Sequence, residues 1–146
     1  MNISLGCDHG AFALKEHLKG YLTRQGHNVV DCGTDSTDSC DYPIYARAAA
    51  QQVASGECER GIVLCTTGIG VSVVANKVRG VRCALCRDLL SAQLTRQHND
   101  ANMMALAGGF TGPFEAERLV DAFLGTSFEG GRHQRRVELV METEGL

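Results

Sequence analysis

No apolar run in this chain approaches the ~20 residues that a membrane-spanning helix requires, and basic residues are not in excess. The 14 Lys and Arg against 17 Asp and Glu leave a formal net charge of −3. The first absence excludes a membrane span, and the second leaves no electrostatic footprint for nucleic acid or an anionic lipid surface. Any anionic ligand must therefore be met locally. A signal segment is missing too: Met1-Asn2-Ile3-Ser4 enters a strand-like stretch at once, so a cytoplasmic protein is expected. There is no internal repeat and no low-complexity segment. At 146 residues the chain suits one domain, residues 1–146, with enough length for one good core and not for two.

Cysteine is plentiful, at seven residues. The count is odd and a reducing compartment keeps thiols free, so no disulfide framework is expected. Cys83 and Cys86 have a CxxC spacing, but they lie in the apolar stretch Val81 to Cys86. Residues three apart in a strand face opposite sides, and no metal site is assigned to them.

Strand-like and helix-like patterns alternate from end to end, the pattern of βα units around a parallel sheet. Strands are predicted at Ile3–Cys7, Asn28–Cys32, Gly61–Cys65, Arg82–Cys86 and Met103–Ala107. Between them, Phe12, Leu14, Leu18, Tyr21 and Leu22 recur at helical spacing up to a Gly26 cap, and Ala46, Ala49, Ala50 and Val53 mark a second helix. Ile69 to Val78 reads as a buried helix, Asp88 as the N-cap of a helix through Gln97, and Gly112-Pro113 as the opening of another. The expected fold is a three-layer α/β/α, doubly wound, Rossmann-like sandwich with a five-stranded parallel sheet. Residues 125–146 form a tail with too little apolar surface to stand alone, so it should dock on its own domain or on a partner subunit.

Ligands in an open parallel sheet bind beyond the carboxyl ends of the strands, near the point where strand order reverses. Strand one ends in Cys7-Asp8-His9-Gly10 and strand three in Cys65-Thr66-Thr67-Gly68-Ile69-Gly70. A small-residue turn that opens a helix presents backbone N–H groups to an anion at the positive end of the helix dipole. The helix ending in Gln97-His98-Asn99-Asp100 is expected to bring its imidazole to the same crevice, and Arg132, His133, Arg135 and Arg136 offer donors matched to a phosphate. The turn alone also suits a nucleotide-binding module, yet Gly68-Ile69-Gly70 lacks the third Gly of a dinucleotide fingerprint and the Gly-Lys-Ser/Thr end of a phosphate loop.

Taken in order, Gly6-Cys7-Asp8-His9-Gly10, Asp41-Tyr42-Pro43, Cys65 to Gly70, Ala75-Asn76-Lys77, Arg96 to Asp100 with Asn102, and Glu129 to Arg136 resemble the type B ribose-5-phosphate isomerase family. That family includes galactose-6-phosphate and allose-6-phosphate isomerases, and the resemblance covers essentially the whole chain. It implies cofactor-independent aldose–ketose interconversion of a sugar phosphate through ring opening and a cis-enediolate. Cys65 is implied as the carbon base, Asp8 as the oxygen proton shuttle and His98 as the ring-opening acid or base. Thr67 is implied as a further catalytic residue, and the backbone of Thr66, Thr67, Gly68, Ile69 and Gly70 as the anion hole. Tyr42, Asn99 and Asn102 are implied to bind substrate hydroxyls or steady the enediolate, while His9, Arg132, His133 and Arg136 bind the phosphate end. No metal and no cofactor are implied. The partner is the phosphorylated sugar, and the assembly is a homodimer or tetramer whose site is shared across the interface.

Three positions depart from the family pattern. Some relatives carry a Glu base just beyond the turn, where this chain has Val71. The family usually has Gly after the Cys, whereas Thr66 here either crowds the anion hole or adds a hydroxyl to it. Many relatives have an Arg near position 109, and this chain has Gly108-Gly109-Phe110. Substrate choice among five- and six-carbon sugar phosphates stays open at this point.

Overall fold

The computed structural model describes residues 1–146. Five strands, β1 (Asn2–Cys7), β2 (Asn28–Asp31), β3 (Arg60–Cys65), β4 (Cys83–Leu85) and β5 (Met103–Ala107), form one parallel sheet in the order β2-β1-β3-β5-β4. The helices are α1 (Phe12–Arg24), α2 (Tyr42–Ala54), α3 (Ile69–Asn76), α4 (Leu89–Asn99), α5 (Pro113–Gly125) and α6 (Arg132–Glu142). None is long and apolar enough to cross a membrane.

Side chains alternate across the sheet, and the alternation sorts the core into two layers. Ile3, Leu5, Cys7, Ile62, Leu64, Met104 and Leu106 face α1, α4 and α5, where Leu14, Leu18, Ala92, Leu119 and Phe123 meet them. Burying each Leu, Ile, Met or Phe side chain among them contributes roughly 1.5–3 kcal/mol relative to leaving it exposed. Val63, Cys65, Met103 and Ala105 face the other layer, against Ala46, Ala49, Ala50, Val71 and Ala75 of α2 and α3. That second layer is built from small residues, so α2 and α3 sit close to the sheet. Ser4 on the same face donates its hydroxyl to the Ala49 carbonyl at 2.9 Å. Cys83 packs in this layer and Cys86 in the opposite one, as period-two alternation requires.

Topology makes the switch point. The chain leaves β1 toward the α1 layer and leaves β3 toward the α3 layer, so the connections diverge above two neighbouring strands. A crevice opens there at the carboxyl edge. Asp88 caps α4 with a capping box, accepting from the Ser91 amide at 2.7 Å. Strand β4 is shorter than the apolar stretch suggested, although its flanks still touch β5: the Cys86 amide donates to the Ala105 carbonyl at 3.1 Å, while the Arg82 amide turns to Asn102 Oδ1. The tail helix α6 packs on α4 of its own chain.

Candidate active site

Strand β3 delivers Cys65 to the carboxyl edge with its side chain on the α2/α3 face. The chain then turns at Gly68, whose φ of +74° lies in the left-handed region that favours glycine, and α3 begins at Ile69. The Gly68 amide donates to Cys65 Sγ at 3.2 Å, and the Ile69 amide donates to Thr67 Oγ1 at 3.2 Å. Two amides of the turn are thus engaged within the chain. That corrects the expectation that the whole 66–70 backbone is open to a ligand. Thr67 Oγ1 lies 4.0 Å from Cys65 Sγ. Asp8 follows β1, is buried, and holds the Gly10 amide through Oδ1 at 3.0 Å. The side chain also lines the Cys65 cavity.

Next to it, the Cys40 amide donates to His9 Nδ1 at 3.2 Å. With Nδ1 accepting, the other ring nitrogen, Nε2, is the one placed to donate. Tyr42 begins α2, and its ring lies so close to Gly70 that a Cβ there would come within 2.7 Å of it. Asp8, Tyr42, Cys65, Thr66, Thr67, Ile69 and Gly70 together line one cavity of about 450 Å³.

The remaining predicted residues lie elsewhere. In a parallel βα unit the segment between a helix and the following strand returns to the amino edge, and α4 does so here. Asn102 shows the position: its carbonyl accepts from the Gly61 amide at the start of β3, four residues before Cys65. At 3.3 Å per residue that is roughly 13 Å along the sheet. His98 and Asn99 therefore do not share the Cys65 crevice within one chain, and the expectation of a single shared crevice is corrected. They line a second cavity of about 420 Å³ with Arg82, Arg136, Val140 and Met141.

Asn102 is corrected as a ligand for substrate. Its Oδ1 accepts from the Arg82 amide at 2.8 Å and its Nδ2 donates to the Gly80 carbonyl at 2.8 Å, so both ends of the side chain brace the approach to β4.

His98 and His133 form the centre of this second cluster. Their rings stack with centroids 4.2 Å apart and planes 13° apart. Glu129, which sequence reading gave no role, reaches both: its carboxylate oxygens lie 3.8 Å from His98 Nε2 and 3.7 Å from His133 Nε2. Burial, with the charges of His98 and Arg132 beside it, holds the His133 pKa below its ordinary value. These three side chains have ligand atoms within 4.8 Å of one another, but near-parallel rings aim their lone pairs side by side and not at one point, a poor cage for a cation. Arg132 and Arg136 are exposed on the first turns of α6. The end of α4 is fixed by Arg96, 4 % exposed, which donates to Asp100 at 2.8 Å and to the Thr126 carbonyl at 3.3 Å.

The ribose/galactose isomerase family model matches residues 3–140. The chain belongs to that family. It is 46 % identical over 142 residues to ribose-5-phosphate isomerase B of Escherichia coli K12, covering 97 % of this chain and 95 % of that one. A solved ribose-5-phosphate isomerase B of Clostridium thermocellum superposes with a TM-score of 0.98 at 44 % identity, covering 99 % of this chain and 98 % of the other. The Mycoplasma genitalium enzyme, solved with ribulose 5-phosphate bound, superposes with a TM-score of 0.94 at 40 % identity, over 99 % and 96 %.

His17 and His27 lie outside both clusters and have neighbours of their own. His27 Nδ1 meets the N-terminal amine at 3.1 Å, and His17 Nε2 lies 3.5 Å from Glu117. Lys15, which the helical stripe concealed, is fully buried and bonds Asp31 and Glu16.

Proposed function

We propose that this protein is a cofactor-independent aldose–ketose isomerase of sugar phosphates, with ribose 5-phosphate and ribulose 5-phosphate as the preferred pair. The observation that carries the reading is the Cys65 sulfur, held by the Gly68 amide at the switch point and facing a cavity it shares with the Asp8 carboxylate. The open-chain aldose binds with C1 and C2 over Cys65. The sulfur takes the C2 proton and returns it to C1, while Asp8 moves a proton between O1 and O2. Free amides at the start of α3 stabilise the enediolate oxygen. C2 is oxidised to a carbonyl as C1 is reduced to an alcohol within the same molecule, so no external redox partner is needed. His9 Nε2–H meets the phosphate.

The ring-opening group and the guanidiniums come from a second copy in this reading. His98, Asn99, Arg132, His133 and Arg136 of the partner subunit would face the Cys65 cavity, so that two half-sites at opposite edges of the sheet join across a two-fold axis. Support comes from the rim: Ile44, Ile69 and Val73 are exposed by 52 %, 54 % and 54 % around the N-terminal ends of α2 and α3. Apolar side chains so placed suit an interface. Residues 1–146 act as a single isomerase domain, and seven free thiols suit the cytoplasm.

Turnover against a panel of five- and six-carbon aldose and ketose phosphates tests the proposal. Ribose 5-phosphate is expected to give the highest kcat/KM. Thermal stabilisation by ATP or NAD, with no isomerisation of any sugar phosphate, overturns it in favour of a nucleotide-binding module.

A further inference from the structure

Thr66 sits in an unusually narrow place. A Cβ on Gly109 would fall 2.8 Å from Thr66 Cγ2 and 3.0 Å from the Thr66 carbonyl oxygen, and a Cβ on Gly10 would overlap Thr66 Oγ1 outright. Two glycines therefore flank the side chain, the methyl on the Gly109 side and the hydroxyl on the Gly10 side. Neither neighbour can be enlarged while Thr66 stays where it is. The Gly109 amide also donates to the Thr66 carbonyl at 2.9 Å, which fixes the backbone that carries the side chain. A branched side chain so confined has little rotamer freedom and acts as a rigid wall.

Thr66 borders the Cys65 cavity on the side of the 8–10 segment. That segment carries Asp8, His9 and Gly10. A Cβ on Gly10 would lie 3.3 Å from Asp8 Oδ1 as well as against Thr66, so Thr66 and the carboxylate flank the same point. Thr66 is exposed and lines the cavity. The neighbouring Thr67 also lines the cavity, with its hydroxyl accepting from the Ile69 amide, and Thr66 is the more exposed of the pair.

We propose that Thr66 is the specificity-determining residue of this cavity: wedged between Gly10 and Gly109, it limits the space between the Cys65 turn and the His9 segment and thereby favours five-carbon over six-carbon sugar phosphates. The inference rests on reading the cavity as a sugar-phosphate isomerase site. One extra CH–OH unit lengthens and widens the ligand between its reacting carbon and its phosphate. A pocket wall that opposes a unit of that size discriminates by about tenfold or more in kcat/KM.

The experiment compares wild type, Thr66→Ala and Thr66→Val on ribose 5-phosphate and on allose and galactose 6-phosphates. Thr66→Ala removes the wall, and the ratio of six- to five-carbon kcat/KM is expected to rise by about tenfold or more. Thr66→Val keeps the shape and loses the hydroxyl, so its ratio is expected to stay within about twofold of wild type. An unchanged ratio in Thr66→Ala overturns the inference. A Val variant that shifts the ratio as far as the Ala variant also overturns it, because a hydroxyl contact and not volume would then set the preference. A wild-type protein that isomerises none of these sugars is a separate outcome, and it overturns the isomerase reading itself.

Discussion

The Gly68 amide points at the Cys65 sulfur from 3.2 Å, and both residues owe that relationship to the left-handed turn that ends β3 and starts α3. The sulfur thus sits beside an amide donor at the start of a helix. On the mechanism proposed above, replacing Cys65 by Ala removes the base and leaves the Asp8, Tyr42 and Ile69 sides of the cavity in place. Turnover of ribose 5-phosphate is expected to fall by about a thousandfold, with thermal stabilisation by the same sugar phosphate retained. Steady-state kinetics and a thermal-shift titration on one preparation check both halves.

Gly68 itself is expected to tolerate no side chain. Its φ of +74° strains any other residue, and a Cβ would lie 2.6 Å from Leu85 Cδ1 and 2.9 Å from the Leu106 carbonyl carbon. The Leu85 methyl can move, but the β5 backbone cannot. Gly68→Ala should therefore cost about 2 kcal/mol or more, read as a lower midpoint in denaturant at unchanged slope.

Lys15 and Asp31 make a prediction about pH. Lys15 is fully buried, and its ammonium meets Asp31 Oδ2 at 2.8 Å and Glu16 at 2.8 Å. Burial pulls its pKa down, but the bonds from Asp31 and Glu16 outweigh burial and hold it above the ordinary value. For Asp31 burial works upward, and Lys15, the Gly33 amide and Lys19 prevail, leaving the carboxyl below its ordinary 3.8. A carboxyl depressed on folding adds stability above its unfolded pKa and loses it as pH falls through the folded one. Asp31→Asn should thus destabilise by roughly 2–3 kcal/mol near neutral pH. The gap from wild type should narrow as pH drops below about 4. Urea melts at several pH values measure that gap.

Much of this fold was legible because its signals are local. Met103–Ala107 was bounded correctly by its unbroken apolar run, and Asp88 was recognised as a cap because a short acidic side chain preceding a helical stripe has one main use. The Lys15–Asp31 pair was invisible because Lys15 sits between Leu14 and Leu18 on the inner face of α1, and its partner lies on another element. The main error in the site concerned direction. Histidine and asparagine at the end of α4 have the right chemistry for the Cys65 crevice, but in parallel βα units helix ends and strand ends occupy opposite edges. Asn102 was misjudged for a different reason: an amide that is fully bonded to backbone looks, in sequence, the same as one that is free.

The two half-sites lead to the last prediction. Cys65 and Asp8 stand at the carboxyl edge, His98 and His133 at the amino edge, and β3 runs between the edges. If one centre is assembled from two chains, Cys65→Ala and His98→Ala damage different half-sites of the same centre. Each homogeneous variant should be nearly inactive. After denaturation together in equal amounts and refolding, half of the dimers are mixed, and each mixed dimer holds one centre with both residues intact. About a quarter of wild-type activity should return. Recovery of that size identifies a shared centre, whereas a mixture no more active than the separate variants means that each chain completes its site alone. Native mass spectrometry of the mixture, which separates mixed from homogeneous dimers by mass, confirms that exchange took place.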